Sequence, residues 1–128
     1  MKTIEELIEK YPKIFKDYKG NPGRVNWSCP TGWLDLVDRM CGLLQFDTDN
    51  NNHNGDHPQV ECFQIKEKFG GLRFYTTDIT PIQEGTIKFT ENLSHDTCME
   101  CGSMKNVRST TGWIANYCEE HFPKETTA

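Results

Sequence analysis

Cys98, Cys101, Cys118 and His121 constrain this chain more than any other feature of it. The first pair stands in Cys98-Met99-Glu100-Cys101-Gly102, two thiols three positions apart with a glycine after the second. A tight reversal lets both sulfurs grip one ion, and the glycine lets the backbone turn with its amides aimed at sulfur. After sixteen intervening residues, Cys118 and His121 repeat the spacing. CxxC followed by CxxH supplies three sulfurs and one nitrogen, a donor set for one tetrahedral zinc. Residues Val107 to Tyr117 suit a small hairpin around Thr111 and Gly112, which is the layout of a zinc ribbon. Four protein ligands leave no position open for water, so a structural zinc is predicted rather than a catalytic one. The plainer alternative, four unligated core residues, sits poorly with two matched half-sites. His95, three residues before Cys98, is an alternate ligand.

The rest of the chain must supply what this staple closes. At 128 residues it has the length of one ordinary domain, enough to bury roughly two thirds of its unfolded surface. No apolar run approaches the ~20 residues of a membrane span. Residues 1–10 mix Lys2, Glu5, Glu6 and Glu9 with their apolar positions and lack the apolar core of a secretory signal, so a cytoplasmic protein is expected. In a reducing compartment clustered cysteines point to metal. Cys29, Cys41 and Cys62 are scattered among apolar residues and read as buried thiols, with a disulfide among them as the alternative. The net charge of −5 argues against a protein whose main task is coating nucleic acid.

Thr3 and Glu6 have the spacing of a capping box, and Ile4, Leu7, Ile8 and Tyr11 recur at helical spacing until Pro12, with Ile14, Phe15 and Tyr18 able to continue the same face. Lys19 to Cys29 holds Gly20, Asn21, Pro22 and Gly23 and reads as a loop. Trp33, Leu36, Val37, Met40, Cys41 and Leu44 form one broad apolar stripe, with Asp35 and Arg39 paired on the opposite face. Asp47 to Pro58 is rich in Asn and Asp and reads as a surface loop. Its register Asn50 to Glu61 loosely resembles a calcium loop, but Asn stands where Asp is usual and Pro58 falls on a ligand position. Thr80, Pro81 and Gln83 then begin a further helix, with Ile82, Phe89 and Leu93 as its apolar positions.

Between these helices, Val60 to Thr77 reads as a β-hairpin turning at Gly70 and Gly71. That turn pairs Phe69 with Leu72, Lys68 with Arg73, Glu67 with Phe74 and Lys66 with Tyr75. Alternation then places Phe63, Ile65, Phe69, Leu72 and Phe74 on a core face, and Lys66, Lys68, Arg73 and Tyr75 on the other. Cations directly across a ladder repel, so either acidic side chains from elsewhere or an anionic ligand should neutralise them. For a ligand, Arg73 offers a bidentate grip on phosphate or carboxylate, the lysines add charge, and Tyr75 offers a flat face to a base. Arg108 is a second candidate anion contact, with a plain surface arginine as its alternative. Trp27, Trp33 and Trp113 are read as core.

Gly32-Trp33 with Leu36-Val37-Asp38, the string from Ile65 to Tyr75, CxxCG, and Gly112-Trp113 before CxxH together resemble small proteins encoded by bacteriophages and prophages. The likeness spans Trp27 to His121, and the hairpin string is its most specific part. In that family the last metal position is Cys or His, which His121 fits, whereas the Asn-rich segment is an insertion. The resemblance implies a viral origin and brings no activity with it.

The expected architecture is α+β: helices on a small antiparallel sheet over residues 1–96, with a zinc ribbon over residues 97–124 packed on the same domain. No Ser/His/Asp set, carboxylate pair, phosphate loop or open metal site is recognisable, which favours a binding protein over an enzyme. The leading expectation is a phage protein that sequesters a small anionic ligand, such as a nucleotide-derived immune signal, at Lys66, Lys68, Arg73, Tyr75 and Arg108. The first alternative is an interaction module whose ribbon contacts a host protein or nucleic acid. The second is an enzyme acting on a nucleotide, for which His53, His57 and His95 are the spare histidines.

Overall fold

A computed structural model describes residues 2–20, 29–52, 55 and 57–124. Trp27 and His53 lie outside the described residues, as does most of the expected Lys19 to Cys29 loop. Helix α1 spans Ile4–Lys10 and starts at Thr3, whose hydroxyl accepts the Glu6 amide at 3.2 Å. Pro12 follows its end, and the chain turns through Ile14 and Phe15, both fully buried, into the short α2, Lys16–Gly20. A 3-10 turn at Thr31–Trp33 then leads into α3, Leu34–Asn51.

Helix α3 carries the core stripe: Leu34, Val37, Met40, Cys41 and Leu44 are all buried. Its opposite face differs from expectation. Asp35 pairs with Lys2 at 2.5 Å, reaching across to the chain just ahead of α1 instead of along the helix to Arg39. Asp38, one turn further, is buried and draws Tyr11 Oη at 2.6 Å, Lys10 Nζ and Lys2 Nζ, each at 3.1 Å. These contacts tie α1 to α3 by charge as well as by packing. Burial alone would raise the Asp38 carboxyl, but donation from Tyr11, Lys10 and Lys2 outweighs it and brings the pKa down to about 2.

The helix also continues five residues into the segment expected to be a loop. Asn50 and Asn51 donate to the carbonyls of Phe46 and Asp47, and Gln83, from a later helix, reaches Asp47 at 3.0 Å. Tertiary hydrogen bonding thus supplies what helix propensity lacks. Because Asn50 and Asn51 are helical, the proposed calcium register has no loop to begin in.

Strands β1, Cys62–Lys68, and β2, Gly71–Thr76, form an antiparallel pair. Each strand partner is two residues off the expected one, because the turn is centred one residue earlier: Lys66 faces Arg73, Ile65 faces Phe74 and Lys68 faces Gly71. The turn residues are therefore Phe69 and Gly70, both left-handed at φ +53° and +81°. Gly71 opens β2, and a side chain there would stand 2.5 Å from the His95 ring. The inner face holds Ile65, Leu72 and Phe74, and Phe74 meets Phe15 edge-on at 6.5 Å. Phe63 and Phe69 do not join them. An irregularity between Cys62 and Gln64 puts Cys62 into the core and turns Phe63 outward onto Tyr75, ring centroids 6.2 Å apart.

Helix α4, Pro81–Ser94, opens with the full capping box of Thr80 and Gln83 and runs beside β2. Ser94 Oγ accepts the Leu72 amide at 2.8 Å and Glu91 accepts that of Phe74 at 2.9 Å. Ile14 takes the Cys62 amide at 2.7 Å on the other side of the hairpin. The buried positions of α4 are Gln83, Ile87, Thr90 and Ser94. Ile82 and Phe89, two of its apolar positions, are 71% and 65% exposed, and the inward stripe joins Ile87 to the polar Gln83, Thr90 and Ser94. The C-terminal segment forms β3, Arg108–Ser109, paired antiparallel with β4, Asn116–Tyr117. The whole is α+β, with helices on a small antiparallel sheet and a Cys/His cluster at the C-terminal end.

Among the described residues no helix is long and apolar enough to cross a membrane. Cys41 and Cys62 are buried, Cys29 is half-buried, and all three are free thiols. Burial pushes the Cys29 and Cys62 thiols up to about 12 and Cys41 well above its ordinary value, so they act as apolar filling.

Candidate metal centre and basic hairpin face

The knuckle is built by backbone geometry. Gly102 at φ +83° lets its amide return to Cys98 O at 2.9 Å, while the Cys98 amide reaches Ser103 O at 2.8 Å. The second half-site closes the same way, with the His121 amide on Cys118 O at 3.1 Å. The four donor atoms of Cys98, Cys101, Cys118 and His121 all lie within 4.8 Å of one another.

Individual spacings sharpen this: Cys101 Sγ to Cys118 Sγ and Cys98 Sγ to His121 Nδ1 are both 3.8 Å, and Cys118 Sγ to His121 Nδ1 is 3.2 Å. Sulfurs bound tetrahedrally at about 2.3 Å stand about 3.8 Å apart, so the cluster fits one four-coordinate ion with His121 binding through Nδ1. Burial disfavours ionising Cys98, yet the backbone amides of Cys118, Cys101 and Glu100 bring its pKa down to about 6. The knuckle thus favours the thiolate that a metal requires. His95, the alternate ligand, sits elsewhere, over Gly71.

The metal cluster is seated on the start of α3. Gly32 donates to Met99 O at 2.8 Å and Trp33 Nε1 to Thr97 O at 3.1 Å. A methyl group on Gly32 would overlap Cys98 O, and one on Gly102 would stand 2.8 Å from Gly32 O. Two glycines therefore let two stretches of backbone touch. Trp33 is fully buried as expected, whereas Trp113 is 84% exposed at the tip of the ribbon hairpin, where no core reaches it.

The outer hairpin face gathers Lys66, Lys68, Arg73 and Tyr75 through strand alternation. Lys66 Nζ lies 5.7 Å from the Tyr75 ring centroid, and Arg73 Nη1 donates to Leu72 O at 3.0 Å. Among the described residues none of the three cations has a carboxylate within ion-pair distance. Arg108 is not gathered with them: it lies on β3 with its guanidinium 3.6 Å from the Phe122 ring centroid. Sequence reasoning missed the position of His95. Its ring and Arg73 Nη1 both crowd the space above Gly71, within about 6 Å of each other by the reach of contact distances. Its place just beyond α4 was legible, but its neighbour across the sheet edge was not. His57, the other described spare histidine, donates its backbone amide to Asn52 Oδ1 at 3.1 Å.

Fold and site together define an α+β protein with a closed Cys3His centre and a cationic hairpin face. Comparison with family models, curated proteins and solved structures finds no match to this chain.

Proposed function

We propose that this is a zinc-braced binding protein that holds a small anionic ligand on the outer face of the β1–β2 hairpin. The observation that carries the reading is the direct pairing of Lys66 with Arg73, on the face shared by Lys68 and Tyr75, with no carboxylate in ion-pair reach among the described residues. Facing cations destabilise a bare ladder, and an anion shared between them reverses the sign. Three sulfurs and one nitrogen at tetrahedral spacing favour zinc over harder ions, and four protein ligands make it a structural brace. The biological role proposed with it, sequestration of a host nucleotide signal in the bacterial cytoplasm, is an analogy drawn from the viral origin that the motif string implies. Fold alone carries none of this.

The test is a thermal-shift screen of the full chain against nucleotides and cyclic dinucleotides. A ligand at one hundred times its Kd stabilises by about 2.7 kcal/mol, and Arg73→Ala should abolish that shift. No shift across the panel, with a host protein co-purifying instead, would favour the ribbon as an interaction module. The exposure of Trp113 is the observation on that side.

A further inference from the structure

Two turns face each other at the tip of the main hairpin, and each presents an aromatic ring to solvent. Phe69 is 71% exposed and holds a left-handed backbone that bulky residues avoid. Trp113 follows Gly112, itself left-handed at φ +76°, at the tip of the ribbon hairpin. Neither ring contributes much to the core, so folding alone gives no reason for either. Between them lies an open cleft of about 400 Å³, walled also by Ile114 and edged by Lys68 and Glu67.

The two walls are fixed to each other. The Asn116 side chain donates through Nδ2 to Gly70 O, and Ile114 Cγ2 would stand 2.8 Å from a side chain at Gly70. Charge is divided across the cleft. Glu67 accepts the Gly70 amide at 3.3 Å, so the inner edge is acidic and repels phosphate. Lys68 lies 5.9 Å from the Phe69 ring centroid and opens onto the face of Lys66 and Arg73. Flat apolar walls with cations on one side suit an aromatic group that carries negative charge at one end. From Phe69 to the Lys66 and Arg73 pair is three residues of strand, about 10 Å. A single phosphate beside the cleft reaches Lys68, and a longer anion reaches Arg73.

We infer that the cleft between Phe69 and Trp113 stacks a nucleobase, and that the ligand of the hairpin face is a nucleotide with more than one phosphate. Its base lies between the two rings and its phosphates run over Lys68 towards Arg73. This rests on the anion-binding reading of that face. Calorimetric titration of the full metal-loaded chain with the four ribonucleoside triphosphates, and separately with tripolyphosphate, tests the two apart. At least one nucleotide should bind about tenfold or more tighter than tripolyphosphate, Trp113→Ala should erase that advantage, and Arg73→Ala should weaken both ligands. Trp113 is on the surface and Arg73 is half-buried, and unchanged melting and metal content will show that the variants fold. Equal binding of nucleotide and tripolyphosphate, untouched by Trp113→Ala, would overturn the stacking subsite and leave the anion face standing. Binding of neither would overturn both.

Discussion

Gly32→Ala tests how the metal centre is joined to the helices. The added methyl would overlap Cys98 O and stand 2.7 Å from Met99 C and 2.8 Å from Gly102 N, all backbone atoms of the knuckle. No rotamer change relieves a clash with backbone, so the knuckle must move away from α3. Overpacking of this kind costs about 1–3 kcal/mol, and the displaced Gly32 to Met99 hydrogen bond adds about 1 kcal/mol. A loss of about 3 kcal/mol in a domain of this size lowers Tm by roughly 10–15 °C. Trp33 must share the displacement, because its indole is anchored to Thr97 O. Differential scanning fluorimetry measures the melt, and a colorimetric chelator measures the rate of metal release, which should rise together with the loss of stability. A variant melting within about 2 °C of the wild type, with metal release unchanged, would refute the backbone contact. Gly85→Ala is the control: a side chain there meets nothing within 4 Å in mid-helix, so it should stabilise by about 0.5–1 kcal/mol.

Elemental analysis should find one zinc per chain, and its removal by chelator should unfold residues 97–124, since structural zinc contributes about 10 kcal/mol or more. A Cys98→Ala chain that keeps both metal and fold would defeat this. Asp38→Asn should cost about 1–2 kcal/mol in urea denaturation, because it removes the charge that Lys10 and Lys2 meet while leaving an amide oxygen to accept from Tyr11. The Asp38 carboxyl is lowered to about 2 in the folded protein, so its contribution is complete above about pH 5 and fades as pH falls towards 2. The wild type should therefore lose more stability than Asp38→Asn between pH 5 and pH 3; parallel losses would refute the assignment. Thr80→Ala should cost about 1 kcal/mol by opening the capping box of α4, and an unchanged urea midpoint would count against that cap.

The metal cluster was legible because its information is local: two short spacings fix four ligands. Capping at Thr3 and Thr80 was legible for the same reason. The hairpin register was not, because the glycine pair does not say whether the turn is Gly70-Gly71 or Phe69-Gly70, and the structure takes the second. Phe69 then takes a left-handed backbone that its residue type does not advertise. The end of α3 was hidden similarly, since Gln83 on α4 holds a polar tail that looks like loop when read alone. On α4 the apolar positions Ile82 and Phe89 face outward, and the buried stripe joins Ile87 to polar residues, of which Gln83 bonds to Asp47 and Ser94 to the Leu72 amide. Alternation alone assigned Lys66, Lys68, Arg73 and Tyr75 to one surface, and that survived a register error because their parity along each strand is unchanged.

The Leu72, Phe74 and Cys62 amides already have acceptors in Ser94, Glu91 and Ile14. A peptide that tried to join this sheet as a third strand would find those positions along its margins taken. Along β2, recognition must therefore run through side chains on the face and at the tip. Such a surface discriminates by charge and ring geometry, and it gives a neighbouring chain little backbone to copy when the protein is crowded.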